Sequence, residues 1–332
     1  MVGDVLLFRF ETEAWSGRTE EAKRSIEQAK QLIPEAEAAG NLIAQQRAWS
    51  ILGIWGATYA EQHDFTQRAF DLAVRAGDQK GLDENIQMLC GLLVTGPPSV
   101  KDGMDTVADF HRRTEGDRVM SAAIGVNAEG QLLSMSGRIE EGREVYERAR
   151  ATFRELGLSL WLGASGTVGP TTAELIGGDP RVAEALLEEG IEILERISPN
   201  GHWLIEDLRL LVEAQVEQGR AEEAALTVER LRAMGALDQP WFQFWPGEAL
   251  RVQGRYAEAA DVLRSTLAHV DEGWVFYRSR IALSLAKALL GADRKQEAID
   301  AANIALRLVE PRGDVASTAR VRAFLKDADA SA

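Results

Sequence analysis

One six-residue stretch recurs along the chain and constrains its fold more than any other feature. Its clearest copy is Gly219-Arg220-Ala221-Glu222-Glu223-Ala224. Degraded copies start at Gly17, Gly137, Gly178 and Gly254, one starts at Asp293 with Asp in the glycine slot, and the weakest start at His63 and Pro98. Their mean spacing is about 39 residues, inside the band of helical repeats. Glycine enters the left-handed conformation that ends a helix at little cost. The acidic residues three and four places on fall in the first turn of the next helix, where the helix dipole favours them. A small residue at the fifth place lets that helix lie close against its predecessor. Each copy therefore reads as the bend of a helical hairpin, and hairpins that cannot bury an apolar face alone must stack. The prediction is an all-α chain, an α-solenoid of about eight repeats of antiparallel hairpins.

The repeats run through residues 1–332 as one elongated domain, because each repeat packs only on its neighbours and escapes the size limit of a single core. Residues 1–40 fit a truncated first repeat, and 314–327 fit a closing helix. Val5 to Trp15 reads as a first helix with no polar cap ahead of it, which looks like a cut into a longer array or a junction with another domain. The next helix starts near Thr19 and bends or ends near Pro34. Asn41 to Gln62 reads as a leading helix followed by Asp64 to Arg75, and Gly96-Pro97-Pro98-Ser99 is a firm break. In Trp203 to Gln218, Leu204, Leu208, Leu211 and Gln215 follow the i, i+4, i+7, i+11 pattern of one helix face.

The balance of 37 basic against 52 acidic residues, a net charge of −15, argues against nucleic acid or an anionic membrane as partner. The longest uncharged stretch, Leu156 to Ala173, is rich in Gly, Ser and Thr, contains Pro170 and is a poor membrane span. The lone cysteine, Cys90, lies among Leu82, Ile86, Leu89 and Leu93 at helical spacing and reads as a small buried apolar residue. No disulfide within the chain is possible, and no signal peptide is visible, which suits a cytoplasmic location.

Machinery for catalysis is not visible. The chain has no phosphate-cradling glycine loop with its lysine, no paired cysteines and no zinc-binding helix signature, so no catalytic residue, cofactor or metal ligand is assigned. His63, His111, His202 and His269 lie far apart and read as surface residues. Two features stand above this background. Trp161, Trp203, Trp241, Trp245 and Trp274 lie near the starts of successive leading helices, with Arg278 and Arg280 nearby as candidate anion contacts. They read either as a recognition strip on the concave face or as packing between repeats. Gly163, Gly166 and Gly169, followed by Pro170, fall inside a leading helix that they weaken. They read as tight backbone packing, as neutral drift, or as a widened groove beside Trp161 kept for a ligand.

The repeat turn, with Leu or Ala before it and Ala after it, resembles the tetratricopeptide family. Leu283 to Leu290, then Glu297-Ala298, then Ala305 to Ala316, resemble the tail of the helical array in bacterial STAND-type ATPases that carry an adenylate/guanylate cyclase or a DNA-binding effector. Phe153 to Trp161 and Ile176 to Pro180 resemble the middle of that array. The resemblance implies a non-enzymatic module that binds a protein or peptide on its concave face. In a longer parent it would be the sensor arm of a signalling ATPase, with an N-terminal ATPase domain as a further partner. A small-molecule inducer receptor and a free-standing adaptor are the alternatives.

Overall fold

The computed structural model describes residues 19–56, 58–113 and 119–330, which fold into helices joined by short turns, with no strand among them. Helix α1 (Thr19–Ala38) precedes the pairs α2 (Leu42–Trp55) with α3 (Tyr59–Ala76), α4 (Gln79–Thr95) with α5 (Val100–Arg113), and α6 (Val119–Met135) with α7 (Ile139–Glu155). Next come α8 (Ser159–Gly177) with α9 (Pro180–Ile197), and α10 (His202–Glu217) with α11 (Ala221–Ala233). A 3-10 turn at Pro240–Gln243 runs into α12 (Phe244–Val252), which pairs with α13 (Tyr256–His269). The chain ends with α14 (Val275–Gly291), α15 (Lys295–Val309) and α16 (Val315–Ala330). The expected helix at Val5 to Trp15 and the copy at Gly17 lie outside the described residues.

The recurring turn has one local mechanism. Gly137, Gly219 and Gly254 take φ of +86°, +73° and +78°, and Asp293 takes +59° in the same slot. The amide that follows then reaches back to a carbonyl of the preceding helix: Arg138 to Leu133, Arg220 to Gln215, Arg255 to Leu250, Arg294 to Leu289. That same arginine stands at the N-cap of the next helix, and its guanidinium holds the glutamate three residues on. The pairs are Arg138–Glu141, Arg220–Glu223, Arg255–Glu258 and Arg294–Glu297. The small residue at the fifth place is buried in each: Ala224, Ala259 and Ala298 are fully buried. Gly142 lets α7 approach α6 so closely that a methyl group there would stand 2.7 Å from the Gly130 carbonyl oxygen.

Three expectations need correction. The copy at His63 is no turn; it lies inside α3. The chain bends earlier, where Thr58 and Glu61 form a reciprocal capping box that starts α3. At Gly178 the backbone is not left-handed, with φ of −110°. There Asp179 caps α9 and Pro180 begins it, and the missing side chain leaves room for the Glu174 carboxylate. Pro34 does not end its helix but lies inside an unbroken α1.

The even-numbered helices form a layer in which each touches the next, from α2 to α16. The odd-numbered helices pack on that layer without packing on one another, so the even helices form the inner layer. Composition follows position. α6 and α8 carry a single charged residue each, Glu129 and Glu174, because neighbours surround them. Glu174 is buried and is satisfied by Nε and Nη2 of Arg143, at 2.6 and 2.7 Å, and by the Asp179 amide. The odd-numbered helices are linked by long arginines to the odd-numbered helix of a neighbouring pair: Arg150 to Glu189 and Arg230 to Glu195, both 2.5 Å, and Arg264 to Glu297, 3.2 Å. The inner layer closes on itself. α14 packs on α4, and α16 packs on α6 and α8.

Candidate functional site

The closed inner layer decides where the aromatic residues end up. Trp245 is 3% exposed and donates its Nε1 hydrogen to Glu213 Oε1 at 3.1 Å. Trp241 touches Trp245 and Tyr277, with ring centroids 6.3 and 6.0 Å apart. Tyr277 meets Trp274 at 6.0 Å, and Trp274 meets Tyr59 edge-on at 5.5 Å. Trp241, Trp245 and Trp274 therefore belong to one chain of rings that runs from α12 through α14 to the start of α3. Its inner end is filled by Arg209, whose guanidinium lies 3.6 Å from the Phe242 centroid and 4.9 Å from that of Trp245. Arg209 also donates to the Ala236 carbonyl and pairs with Glu206.

Of the other nominated residues, Arg280 joins these through Glu213, the carboxylate that Trp245 also holds. Trp203 packs against its neighbour His202, and Trp161 stacks on Phe153 at 6.3 Å. Arg278 donates to the Val270 and Leu267 carbonyls at the end of α13, so its guanidinium serves a helix terminus. Arg280 pairs with Glu213 and lies 5.0 Å from the Phe276 centroid. A methyl group at Gly163 would stand 3.0 Å from Leu194 Cγ, and one at Gly169 would meet Asn127 of α6. These two glycines let α8 sit tightly between α9 and α6, and α8 stays continuous through Pro170. The surroundings of Gly166 lie outside the described residues.

Behind the ring chain is a charged interior between α8, α10, α12, α14 and α16. Glu213, Glu217 and Glu248 meet Arg280, Lys287 and Arg320 around a cavity of about 40 Å³. That is room for a few water molecules, each needing roughly 10–15 Å³ by the same measure, and not for a metabolite. Glu217 accepts from Arg320 at 2.9 Å and from Lys287 at 3.2 Å. Glu248 holds Arg251 through two hydrogen bonds of 2.8 and 2.9 Å. Burial opposes ionisation of Glu217, yet Lys287 and Arg320 outweigh it and hold its carboxyl below the usual range. Burial wins at Lys287, whose ammonium titrates lower than an ordinary lysine despite Glu217.

Two joints close the layer. At the first, the Tyr59 amide donates to Asp271 Oδ1 at 3.1 Å, and a methyl group at Gly273 would stand 2.5 Å from Tyr59 Cβ. At the second, Arg312 is 4% exposed and donates to the carbonyls of Leu93, Val94 and Pro98, while its own carbonyl accepts from the Val100 amide at 2.8 Å. Asp314 caps α16 through the Ser317 amide. α16 then sends Arg320 to the Leu175 carbonyl and to Glu217. Sequence reasoning passed over Tyr59, Glu213, Glu217, Arg312 and Arg320. The signal for Glu213 and Glu217 is acidic charge spaced by four in the largely apolar stretch Leu210 to Glu217.

Among the described residues no group of three or more His, Cys, Asp and Glu is placed to hold a metal, and no helix is long and apolar enough to cross a membrane. No protein-family model and no curated protein matches the chain.

Proposed function

We propose that the chain is a tetratricopeptide-like α-solenoid and that it works as a non-catalytic scaffold binding a helical segment of a protein along its inner layer. The repeated turn, the inner layer of even helices and the arginine links one repeat apart support the solenoid reading. One observation carries the binding reading: the inner surface of α6, α8 and α10 already receives a single helix, α16, through contacts that another helix could reproduce. Buried acids and bases in the interior are spent on one another, which leaves the surface suited to docking. The resemblance to signalling ATPase arrays is consistent with a scaffold that reports a bound protein to an attached effector.

The test is a photo-crosslinking residue placed at Leu283, on the inner layer beside α16, with a synthetic helix copying residues 314–330 as probe. Saturable crosslinking that an excess of unlabelled peptide removes is the expected outcome. No crosslink from Leu283, with efficient crosslinks from an outer position such as Leu226, would place the binding surface elsewhere and overturn the reading.

A further inference from the structure

The charges of the interior do not cancel. Three pairs match one cation to one carboxylate: Arg280 with Glu213, Lys287 with Glu217 and Arg251 with Glu248. Arg320 is a fourth cation, and it meets the same Glu217 Oε1 that already accepts from Lys287. Its other contact is the Leu175 carbonyl, which carries no net charge. The group thus holds four cations against three carboxylates, and all but Arg251 line the cavity of about 40 Å³. Glu213 and Glu248 are buried, where an unbalanced charge is costly. Burial pushes the Arg280 guanidinium down to about 9 and Lys287 below its ordinary range, and Arg320 pushes both the same way. Ser284, also buried, adds a hydroxyl to the cavity wall. Glu217, Lys287 and Arg320 keep 31%, 27% and 32% of their side-chain surface exposed, so the cavity is reached from solvent.

We propose that this interior binds one small monovalent anion of chloride size, drawn by four cations whose charge three carboxylates do not balance. The cavity selects by volume. A water molecule needs roughly 10–15 Å³ by the same measure, so a halide with one or two waters fits and a sugar acid or a nucleotide does not. Arg280, Lys287 and Arg320 offer N–H donors to the ion, and Ser284 offers its O–H. The net charge of −15 opposes the approach of an anion, but charges farther off than about 8 Å are largely screened at physiological ionic strength. Those lining the cavity are not. Arg280 and Lys287 belong to α14, Glu217 to α10 and Arg320 to α16. An ion among them ties the last helix to the middle of the inner layer and stabilises the fold by mass action. It binds whether or not a helical partner docks.

The experiment compares urea unfolding of the full chain in sodium chloride and in sodium gluconate, whose anion is too large for the cavity. Both salts are held at about 150 mM, so that screening is the same. With a Kd of about 15 mM for chloride, the unfolding constant is about tenfold smaller in chloride than in gluconate. Broadening of the chloride NMR signal by the native protein reads the binding directly. Arg320→Gln and Lys287→Met each remove the excess cation and abolish both effects. Glu217→Gln enlarges the excess and strengthens them. Arg264→Gln, on an outer helix, leaves them as they are. Equal unfolding in the two salts, with no broadening, overturns the site. A chloride effect that persists in both Arg320→Gln and Lys287→Met also overturns it, because the ion then sits elsewhere. Where one of these two variants does not fold, the other carries the test, and Glu217→Gln gives the opposite sign from either.

Discussion

Arg312 and Tyr59 cap the same helix end from opposite directions of the chain. The Tyr59 hydroxyl donates to the Leu92 carbonyl at 3.2 Å, and the Arg312 guanidinium donates to the next two carbonyls, Leu93 and Val94. The Leu92 carbonyl also accepts from the Gly96 amide at 2.9 Å, but the carbonyls after it lie beyond the reach of their own helix's amides, so a buried terminus requires donors from elsewhere. A hydroxyl from the preceding helix and a cation from beyond α15 meet that need together, and the nearby cation also complements the negative end of the helix dipole.

This shared duty sets the first prediction. Tyr59→Phe removes one neutral hydrogen bond and should cost about 1 kcal/mol, while Arg312→Ala strands several carbonyls and should cost about 2–4 kcal/mol. The double variant should cost less than the sum, since the two donors serve one terminus. Urea unfolding of the four proteins measures this. Strict additivity would mean that the two caps act independently.

The second prediction separates two reasons for a glycine. At Gly219 the space is open and only the left-handed backbone, φ of +73°, disfavours a side chain, so Gly219→Ala should cost about 1 kcal/mol. At Gly178 φ is −110°, so the backbone is not left-handed, but a methyl group would collide with the Glu174 carboxylate and loosen its grip on Arg143. Gly178→Ala should therefore cost more, about 3 kcal/mol, because it strains a buried charge pair. Thermal melts of the two variants give the order, and Glu174→Gln in the Gly178→Ala background should recover part of the loss.

How much of this was legible follows from where the information lies. The turn copies at Gly137, Gly219, Gly254 and Asp293 were readable because a helix stop, a cap and a small residue are local requirements. The copy at His63 was among the weakest and stands 46 residues after Gly17, wide of the mean spacing, while the true signal, Thr58 three residues before Glu61, belongs to a different capping chemistry. The all-helical architecture was legible; the closure of the inner layer was not. Closure depends on how many successive helix pairs are set against one another and on pairings such as Arg312 with Val94, which no local pattern encodes. The tryptophans show the same limit: their recurrence at helix starts was visible, but their stacking into a chain ending at Tyr59 depends on closure.

That chain yields the third prediction. Trp245 is almost fully buried and anchors Glu213, so Trp245→Ala should cost about 3–5 kcal/mol. Trp274 is half-buried between Tyr59 and Tyr277, and Trp274→Ala should cost less, about 1–2 kcal/mol, chiefly by weakening the joint with α3. Chemical denaturation of both variants provides the comparison. Equal losses would show that the joint is as firmly packed as the core.

Cys90 offers a reporter for global opening. It is 4% exposed, and burial pushes its thiol up to about 12, so the thiolate is scarce at neutral pH. Alkylation of the native protein at pH 8 should proceed only at the rate of unfolding, and it should accelerate in Trp245→Ala. Fast labelling of the wild type would reveal local opening of α4 that leaves the rest of the fold in place.

The last prediction concerns acid. Lys287 and Arg320 hold the Glu217 carboxyl below the range it adopts in an unfolded chain. Between those two values the unfolded state binds more protons than the folded one, so stability falls as pH falls. The contribution of Glu217 is complete above the unfolded carboxylate range and is lost as pH drops through the folded value. Asp314 works in the opposite sense. Burial raises its carboxyl above the ordinary value, so its contribution is complete below the unfolded value and is lost as pH rises through the folded one. Melting temperatures from pH 7 down to the acid limit should therefore show two different changes of slope. Glu217→Gln should be less stable than the wild type at neutral pH and should converge with it in acid. Asp314→Asn keeps an acceptor for the Ser317 amide and should fall more steeply on acidification than the wild type, because the offsetting gain from protonating Asp314 is gone. Parallel curves for Glu217→Gln and the wild type would mean that Glu217 titrates alike in both states and that its pairing with Lys287 and Arg320 contributes no net stability.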